Sequence, residues 1–189
     1  ELRDDHPQLP ILSVTDTPQG LMAVVRMTKT KLDPAALHRA VMLVDVQDPA
    51  NVGAVIRTAW CLGYRDVLLA GRCADAYSPK VVRGTMGGIF HVNVHGVKSP
   101  QSAIERCRTA AVTVLATAGG ARDFASVAVS GPRLLVVGNE SRGLRPEVAQ
   151  AADETVGIPM AESAESLNVS VAAGILMQHY ARPIERLPV

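Results

Sequence analysis

The chain reads as an α/β protein with a mostly parallel sheet and helices on both of its faces. Three observations carry that prediction. Residues 41–46, 67–70, 112–116 and 134–137 are short, largely apolar runs with β-branched residues among them, the pattern of strands buried on both sides. Between such runs the apolar residues recur at helical spacing, as Val52, Val55, Ile56, Ala59 and Trp60 do. Three polar stretches follow strand-like runs, where open parallel sheets bind their ligands.

The elements follow in order. Residues 21–27 read as a strand behind the turn-like sequence Thr17-Pro-Gln-Gly20. A lone strand makes no stable domain, so residues 1–28 are expected to be the tail of a larger amino-terminal module. Residues 29–40 are polar, contain Pro34 and read as a linker or short helix, and residues 41–189 form the main domain. The first strand, 41–46, leads into a helix that opens near Asn51 and closes at Gly63. A strand at 67–70 follows, then a helix over 78–86 with Pro79 in its first turn. Residues 90–94 are a weak strand, 102–108 a helix and 112–116 a buried strand. Residues 134–137, between Pro132 and Gly138, are the clearest strand. A short helix over 146–152 and a strand over 154–158 come next. Leu167, Val171, Ile175 and His179 share one face of a final helix.

Composition bounds the function. The chain has 189 residues, 48% of them apolar, enough for a well-packed core. Aromatic residues make up 3%, which argues against a base-stacking platform for single-stranded RNA. The net charge is +1, so any nucleic-acid surface must be local. Cys61, Cys73 and Cys107 lack paired or zinc-like spacing and read as reduced thiols of a cytoplasmic protein. No apolar run is long enough to span a membrane. The phosphate loop is excluded because Leu144 stands where its lysine belongs after Gly138 and Gly143. No Gly-x-Gly-x-x-Gly follows the first strand, and no Gly-x-Ser-x-Gly elbow occurs. His91 and His95 sit in a strand-like segment with no acidic partner nearby in sequence, so no metal site is expected.

The three polar stretches are residues 51–59 (NVGAVIRTA), 138–143 (GNESRG) and 158–170, which opens Ile-Pro-Met and ends Ser-Leu-Asn-Val-Ser. Together they resemble the three signature motifs of the SpoU/TrmH family of RNA ribose 2′-O-methyltransferases, in the SPOUT superfamily. The match falls on Asn51, Gly53, Arg57 and Thr58, then Gly138, Asn139, Glu140 and Gly143, then 158–160 and 166–170. It covers about residues 40–182. The resemblance implies a carboxyl-terminal deep trefoil knot, a rare topology. It implies bound S-adenosyl-L-methionine, a homodimer with sites completed across subunits, and RNA as substrate. Ribosomal RNA is favoured. Transfer RNA and a non-catalytic knotted RNA-binding or ribosome-assembly protein are the alternatives. Residues 1–28 resemble the end of the family's amino-terminal RNA-binding domain, similar to a ribosomal-protein fold.

The resemblance makes Asn51, Arg57, Glu140, Ser166 and Asn168 the catalytic set. Ala116, Thr117, Gly138, Asn139, Ile158, Met160, Ser166 and Leu167 become the cofactor positions. The residues read on their own terms as well. Asn51 suits a helix N-cap, and Ser166 and Asn168 suit the cap of the last helix. Arg57 alone would be a surface ion-pair former. In the motif it is expected to clamp a phosphate and stabilise a developing alkoxide, since a guanidinium is a poor base. Glu140 is a strand-end carboxylate that could orient Arg57 or Asn51. Arg72, Lys80, Arg83, Lys98, Arg142 and Arg145 are expected to form a basic rim.

Overall fold

The computed structural model describes residues 23, 25–27, 30–139, 141–164 and 166–181. Glu140 and most of the strand expected over 21–27 lie outside the described residues. Six strands form one sheet: β1 (Arg39–Val44), β2 (Asp66–Ala70), β3 (Asn93–Val97), β4 (Thr113–Asp123), β5 (Arg133–Val137) and β6 (Glu154–Gly157). Their order is β3-β2-β1-β5-β4-β6, and every pairing is parallel. The helices are α1 (Pro49–Cys61), α2 (Pro79–Gly84), α3 (Pro100–Thr109), α4 (Pro146–Ala149) and α5 (Val169–Tyr180).

The period of two along β1 divides the core. Val41 and Leu43 point into a cluster with Val52, Ile56, Val81, Ala173 and Leu176, from α1, α2 and α5. Ala40, Met42 and Val44 point the other way, onto Ala103, Ile104 and Cys107 of α3 and Val148 of α4. The central strand is therefore buried on both sides, which is why its sequence is apolar without alternation. Each large aliphatic side chain so buried contributes about 1.5–3 kcal/mol.

Local chemistry sets the helix starts. Asp48 caps α1 by accepting from the Ala50 N–H at 2.9 Å, and Pro49 fills the first helical position. The N-cap role expected of Asn51 thus belongs to Asp48, three residues earlier, and Asn51 lies inside the first turn. Gly53 lets α1 approach α2, because a Cβ there would lie 3.0 Å from Gly84 Cα. Asn168 does cap α5, as expected, its side-chain oxygen accepting from the Ser170 and Val171 N–H groups. Ser166 does not share that role.

Three elements differ from the expected ones. The weak strand over 90–94 is a 3₁₀ turn, Gly88–Phe90, followed by β3 from Asn93, because the left-handed Gly87 (φ 90°) starts a turn ahead of the strand. Strand β4 continues well past 116, and its pairing with β6 breaks between Thr117 and Arg122. Gly120, at φ 69°, supplies the bend. The segment expected to be a linker packs from Thr30 onward against the sheet. It forms a 3₁₀ turn, Pro34–Ala36, with Pro34 and Leu37 buried. The Leu32 carbonyl accepts from Arg106 at 3.3 Å. His95 on β3 meets the Thr30 carbonyl at 3.2 Å through Nδ1 and Asp66 at 2.8 Å through Nε2. His95 therefore does have an acidic partner, supplied by the neighbouring strand rather than by nearby sequence.

Candidate active site

A cleft of about 330 Å³ opens beyond the carboxyl ends of β4, β5 and β6. Thr117, Gly138, Asn139, Ile158, Met160, Ser166 and Leu167 line it. Ala116 does not. It is fully buried within β4, one residue before the strand reaches the cleft. Arg142, Gly157, Val169, Ala172 and Leu176 also line the cleft, though none was expected as a cofactor position. Arg142 and Gly157 adjoin the motif positions, which is a usable signal. Val169, Ala172 and Leu176 form an apolar helical stripe that reads as ordinary core.

Glycine shapes the cleft floor. A Cβ on Gly138 would collide with the backbone of Gly143 and Leu144, so the end of β5 and the returning loop are in backbone contact. A Cβ on Gly157 would sit 2.9 Å from the Ala118 carbonyl. Asn139 locks the intervening loop. Its Nδ2 donates to the Asp45 carbonyl at 3.0 Å, tying the end of β1 to the end of β5. Its Oδ1 accepts from the Ser141 and Arg142 N–H groups at 3.0 and 3.2 Å. The Gly143 N–H closes the loop onto the Asn139 carbonyl at 2.9 Å. Asp45 holds a left-handed conformation, φ 58°, and its carboxylate accepts from the Arg72 N–H at 2.7 Å.

The first and third motifs meet at a side-chain pair. Asn168 Nδ2 donates to Asn51 Oδ1 at 3.0 Å, and Asn51 is buried. Leu167 and Val169, on either side of Asn168, both line the cleft, so the pair stands at its edge. Arg57 stands apart. It lies about 9 Å further along α1 from Asn51 at 1.5 Å per residue. It is exposed and makes no hydrogen bond or ion pair among the described residues. The Gly88 backbone packs against its Cα. Next to it, Thr58 donates to the Ala54 carbonyl at 2.8 Å and its methyl faces Gly174 of α5.

The expected basic rim does not form one surface. Arg142 lines the cleft, Arg145 pairs with Glu147 at 3.3 Å, and Lys98 lines a separate groove beside Thr30 and His95. Among the described residues no group of three or more His, Cys, Asp or Glu side chains could hold a metal ion. None of the ionisable groups with a shifted pKa lines the cleft. Burial pushes the Cys107 thiol, in the core under α3, up to about 11. It pushes the Tyr64 phenol, which donates to the Met177 carbonyl, up to about 12.

Fold and site together define a parallel α/β protein with a preformed small-ligand cleft at the ends of β4 to β6 and an exposed arginine on α1, outside the lining of that cleft. The chain belongs to the SpoU rRNA Methylase family, whose profile matches residues 38–178. It is 39% identical over 168 residues to the 23S rRNA (guanosine(2553)-2′-O)-methyltransferase RlmP of Bacillus subtilis, covering 87% of this chain and 66% of that protein. A TrmH-family structure from Porphyromonas gingivalis superposes with a TM-score of 0.84 at 34% identity, covering 91% of this chain and 70% of the other. The SpoU methyltransferase AviRb of Streptomyces viridochromogenes, in complex with AdoMet, gives 0.70 at 34% identity, covering 76% of this chain and 56% of that one. The chain spans less than two thirds of the length of the curated relatives it matches.

Proposed function

We propose that this chain is the catalytic portion of an S-adenosyl-L-methionine-dependent RNA ribose 2′-O-methyltransferase that acts on ribosomal RNA. The observation that carries the reading is the convergence of seven of the eight expected cofactor positions on one cleft. Relatives named as 23S rRNA 2′-O-methyltransferases, and a cofactor-bound neighbour, support it. The cleft suits the ligand. Its volume is at the lower end of ordinary ligand sites. Val137, Ile158, Leu167 and Leu176 offer apolar walls for an adenine, with the main chain around Gly138 and Gly157 in reach. The bound cofactor would supply an electrophilic methyl group on a sulfonium.

The residues of the chain then do three things. Loop 138–143, held by Asn139, fixes the cofactor cleft so that the methyl group meets the 2′-oxygen without reorganisation. Arg57, with its donors uncommitted among the described residues, clamps a phosphate of the RNA bidentately and stabilises negative charge on the attacking oxygen. The Asn51–Asn168 pair fixes the spacing between α1 and the mouth of the cleft. Transfer to the ribose requires the 2′-hydroxyl to lose its proton, to solvent or to a neighbouring carboxylate. Glu140 is expected to orient Arg57 or Asn51.

A second copy of the chain completes the site. Arg57 does not line its own cleft, while Met86, Phe90, Val171 and Ile175 expose apolar surface beside α1 and along α5. Pairing of those faces would bring Arg57 of the partner subunit toward the cleft. The knotted topology of the family is part of the same reading. Residues 1–28 are read as the end of an RNA-binding domain, and the enzyme as cytoplasmic. No helix among the described residues is long and apolar enough to cross a membrane. The test uses methyl-labelled cofactor and total RNA with the protein carrying its full amino-terminal portion. Label should appear on ribose 2′-oxygens, and Arg57→Ala should abolish it while cofactor affinity stays the same. Label on protein or small molecules alone would sink the proposal, and equal turnover in Arg57→Ala would sink the role given to that residue.

A further inference from the structure

A second pocket lies at the opposite end of the sheet, and its chemistry is unrelated to the first. It encloses about 480 Å³ beside the amino-terminal ends of β1, β2 and β5. Arg133 opens β5 and Val137, at the other end of the same strand, lines the cofactor cleft. The two sites are therefore about 13 Å apart along the strand at 3.3 Å per residue. Arg39, Arg65, Arg133 and His38 line this rear pocket. Its one carboxylate, Asp66, is already engaged by His95 at 2.8 Å and Asn93 at 3.2 Å.

Arg133 is the unusual member. It is only 7% exposed, which is rare for a guanidinium. One nitrogen, Nη1, donates to the Val129 carbonyl at 3.2 Å. Its Nε–H is buried and has no partner among the described residues. Arg65, exposed above it, makes no ion pair among the described residues. Burial depresses the Arg133 pKa from its ordinary value, with Tyr64 opposing and Arg39 adding to the shift, though an arginine remains charged at any physiological pH. A buried cation near another guanidinium, that of Arg39, is costly unless an anion answers it. Forked guanidinium donors match the paired oxygens of a phosphate or a carboxylate, and RNA offers phosphates.

We propose that Arg39, Arg65 and Arg133 form a phosphate-binding cradle at the rear of the sheet, which holds a backbone phosphate of the RNA substrate away from the reacting ribose. The proposal rests on the RNA-methyltransferase reading for its source of phosphate, but the pocket's chemistry does not. The chain enters the sheet beside this pocket, through the turn Pro34–Ala36.

Arg65→Glu is the main test, because that side chain is exposed and its replacement leaves the core untouched. Arg133→Met is a second variant. Anisotropy of fluorescein-labelled fragments of large-subunit ribosomal RNA is followed across a potassium chloride series. Arg65→Glu should weaken binding about tenfold at low salt. It should also flatten the log–log salt slope by about 0.7–0.9, the share of one phosphate no longer neutralised. Affinity for S-adenosyl-L-methionine should not change. In a parallel arm, inorganic phosphate should raise the melting temperature of the unsubstituted protein above that in chloride of equal ionic strength, and Arg65→Glu should abolish this rise. An RNA effect assigns the cradle to the backbone. A phosphate effect alone overturns the RNA source and leaves a free phosphate or nucleotide as ligand. Flat results in both arms, from a protein that methylates RNA, overturn the cradle while sparing the enzymatic reading. A protein that binds no RNA overturns that reading, and the phosphate arm then decides the cradle.

Discussion

Gly138→Ala tests the shape of the cofactor cleft directly. The added Cβ would stand 2.5 Å from the Gly143 carbonyl oxygen and from the Leu144 nitrogen. Ordinary carbon contacts begin near 3.5 Å, so the loop must retreat by about 1 Å. Retreat is opposed by the bonds that hold the loop: Asn139 to the Asp45 carbonyl, Ser141 and Arg142 to Asn139, and Gly143 to the Asn139 carbonyl. Overpacking of this kind costs about 1–3 kcal/mol, and one strained loop hydrogen bond adds about 1 kcal/mol. A total of about 2–4 kcal/mol should appear as a lower denaturation midpoint in urea with an unchanged slope. In calorimetry the affinity for S-adenosyl-L-methionine should fall at least tenfold, since about 1.4 kcal/mol of misalignment suffices for that. Gly96→Ala is the control, because a Cβ on Gly96 meets nothing within 4 Å. A Gly138→Ala protein with the midpoint and cofactor affinity of the unsubstituted chain would refute the claim that backbone contact at Gly138 builds the cleft.

Other outcomes follow from the same geometry. Arg57→Ala should change folding stability by less than about 0.5 kcal/mol, as an exposed side chain without internal bonds should, while methyl transfer is abolished; urea titration beside the transfer assay checks both. Asn168→Ala should destabilise the chain by about 1–3 kcal/mol, by removing the α5 cap and the bond to buried Asn51, and Asn168→Ser should recover the cap portion in the same titration. Tyr64→Phe should cost about 0.5–1.5 kcal/mol by removing the donor to the Met177 carbonyl. Under native conditions a thiol reagent should modify exposed Cys61 rapidly and buried Cys107 only on unfolding, which mass spectrometry resolves. Cys107 has an ordinary value of 9.0 and a folded value of about 11. The folded state thus favours the neutral thiol. That stability is intact below pH 9 and is lost progressively as the pH rises to about 11, by up to about 2–3 kcal/mol. Denaturation midpoints measured across that window should fall less steeply in Cys107→Ala.

The sheet was legible because burial on both faces leaves a plain trace. Apolar runs at 134–137 and around 41–44 permit few other readings, and the helix between them repeats at the right spacing. The residues that line the cleft at β4 to β6 could be picked out only through motif resemblance, because glycine and apolar main chain carry no chemical label of their own. What sequence reasoning missed depends on contacts between distant segments. The Asp66–His95 pair joins residues on neighbouring strands, and no spacing rule reports that. Asp48 displaced Asn51 as the helix cap because Pro49 fixes the helix start three residues earlier than the apolar pattern suggests. The three arginines of the rear pocket are scattered at 39, 65 and 133, each at the start of a strand or just before it. Only the register of a parallel sheet gathers such positions at one end.

The strap from Thr30 to Leu37 bears on where this protein can be cut. Strand β3 ends the sheet, and an uncovered strand edge invites pairing with other chains. The strap lies beside that edge, sharing a groove with residues 95–99, and takes up one nitrogen of His95 and one of Arg106. A fragment trimmed to begin at residue 41 would strip Leu37 from the core and bare the flank of β3 together. The stable unit to transplant onto an RNA-binding module starts ahead of Thr30, and a junction placed later should yield a protein that self-associates.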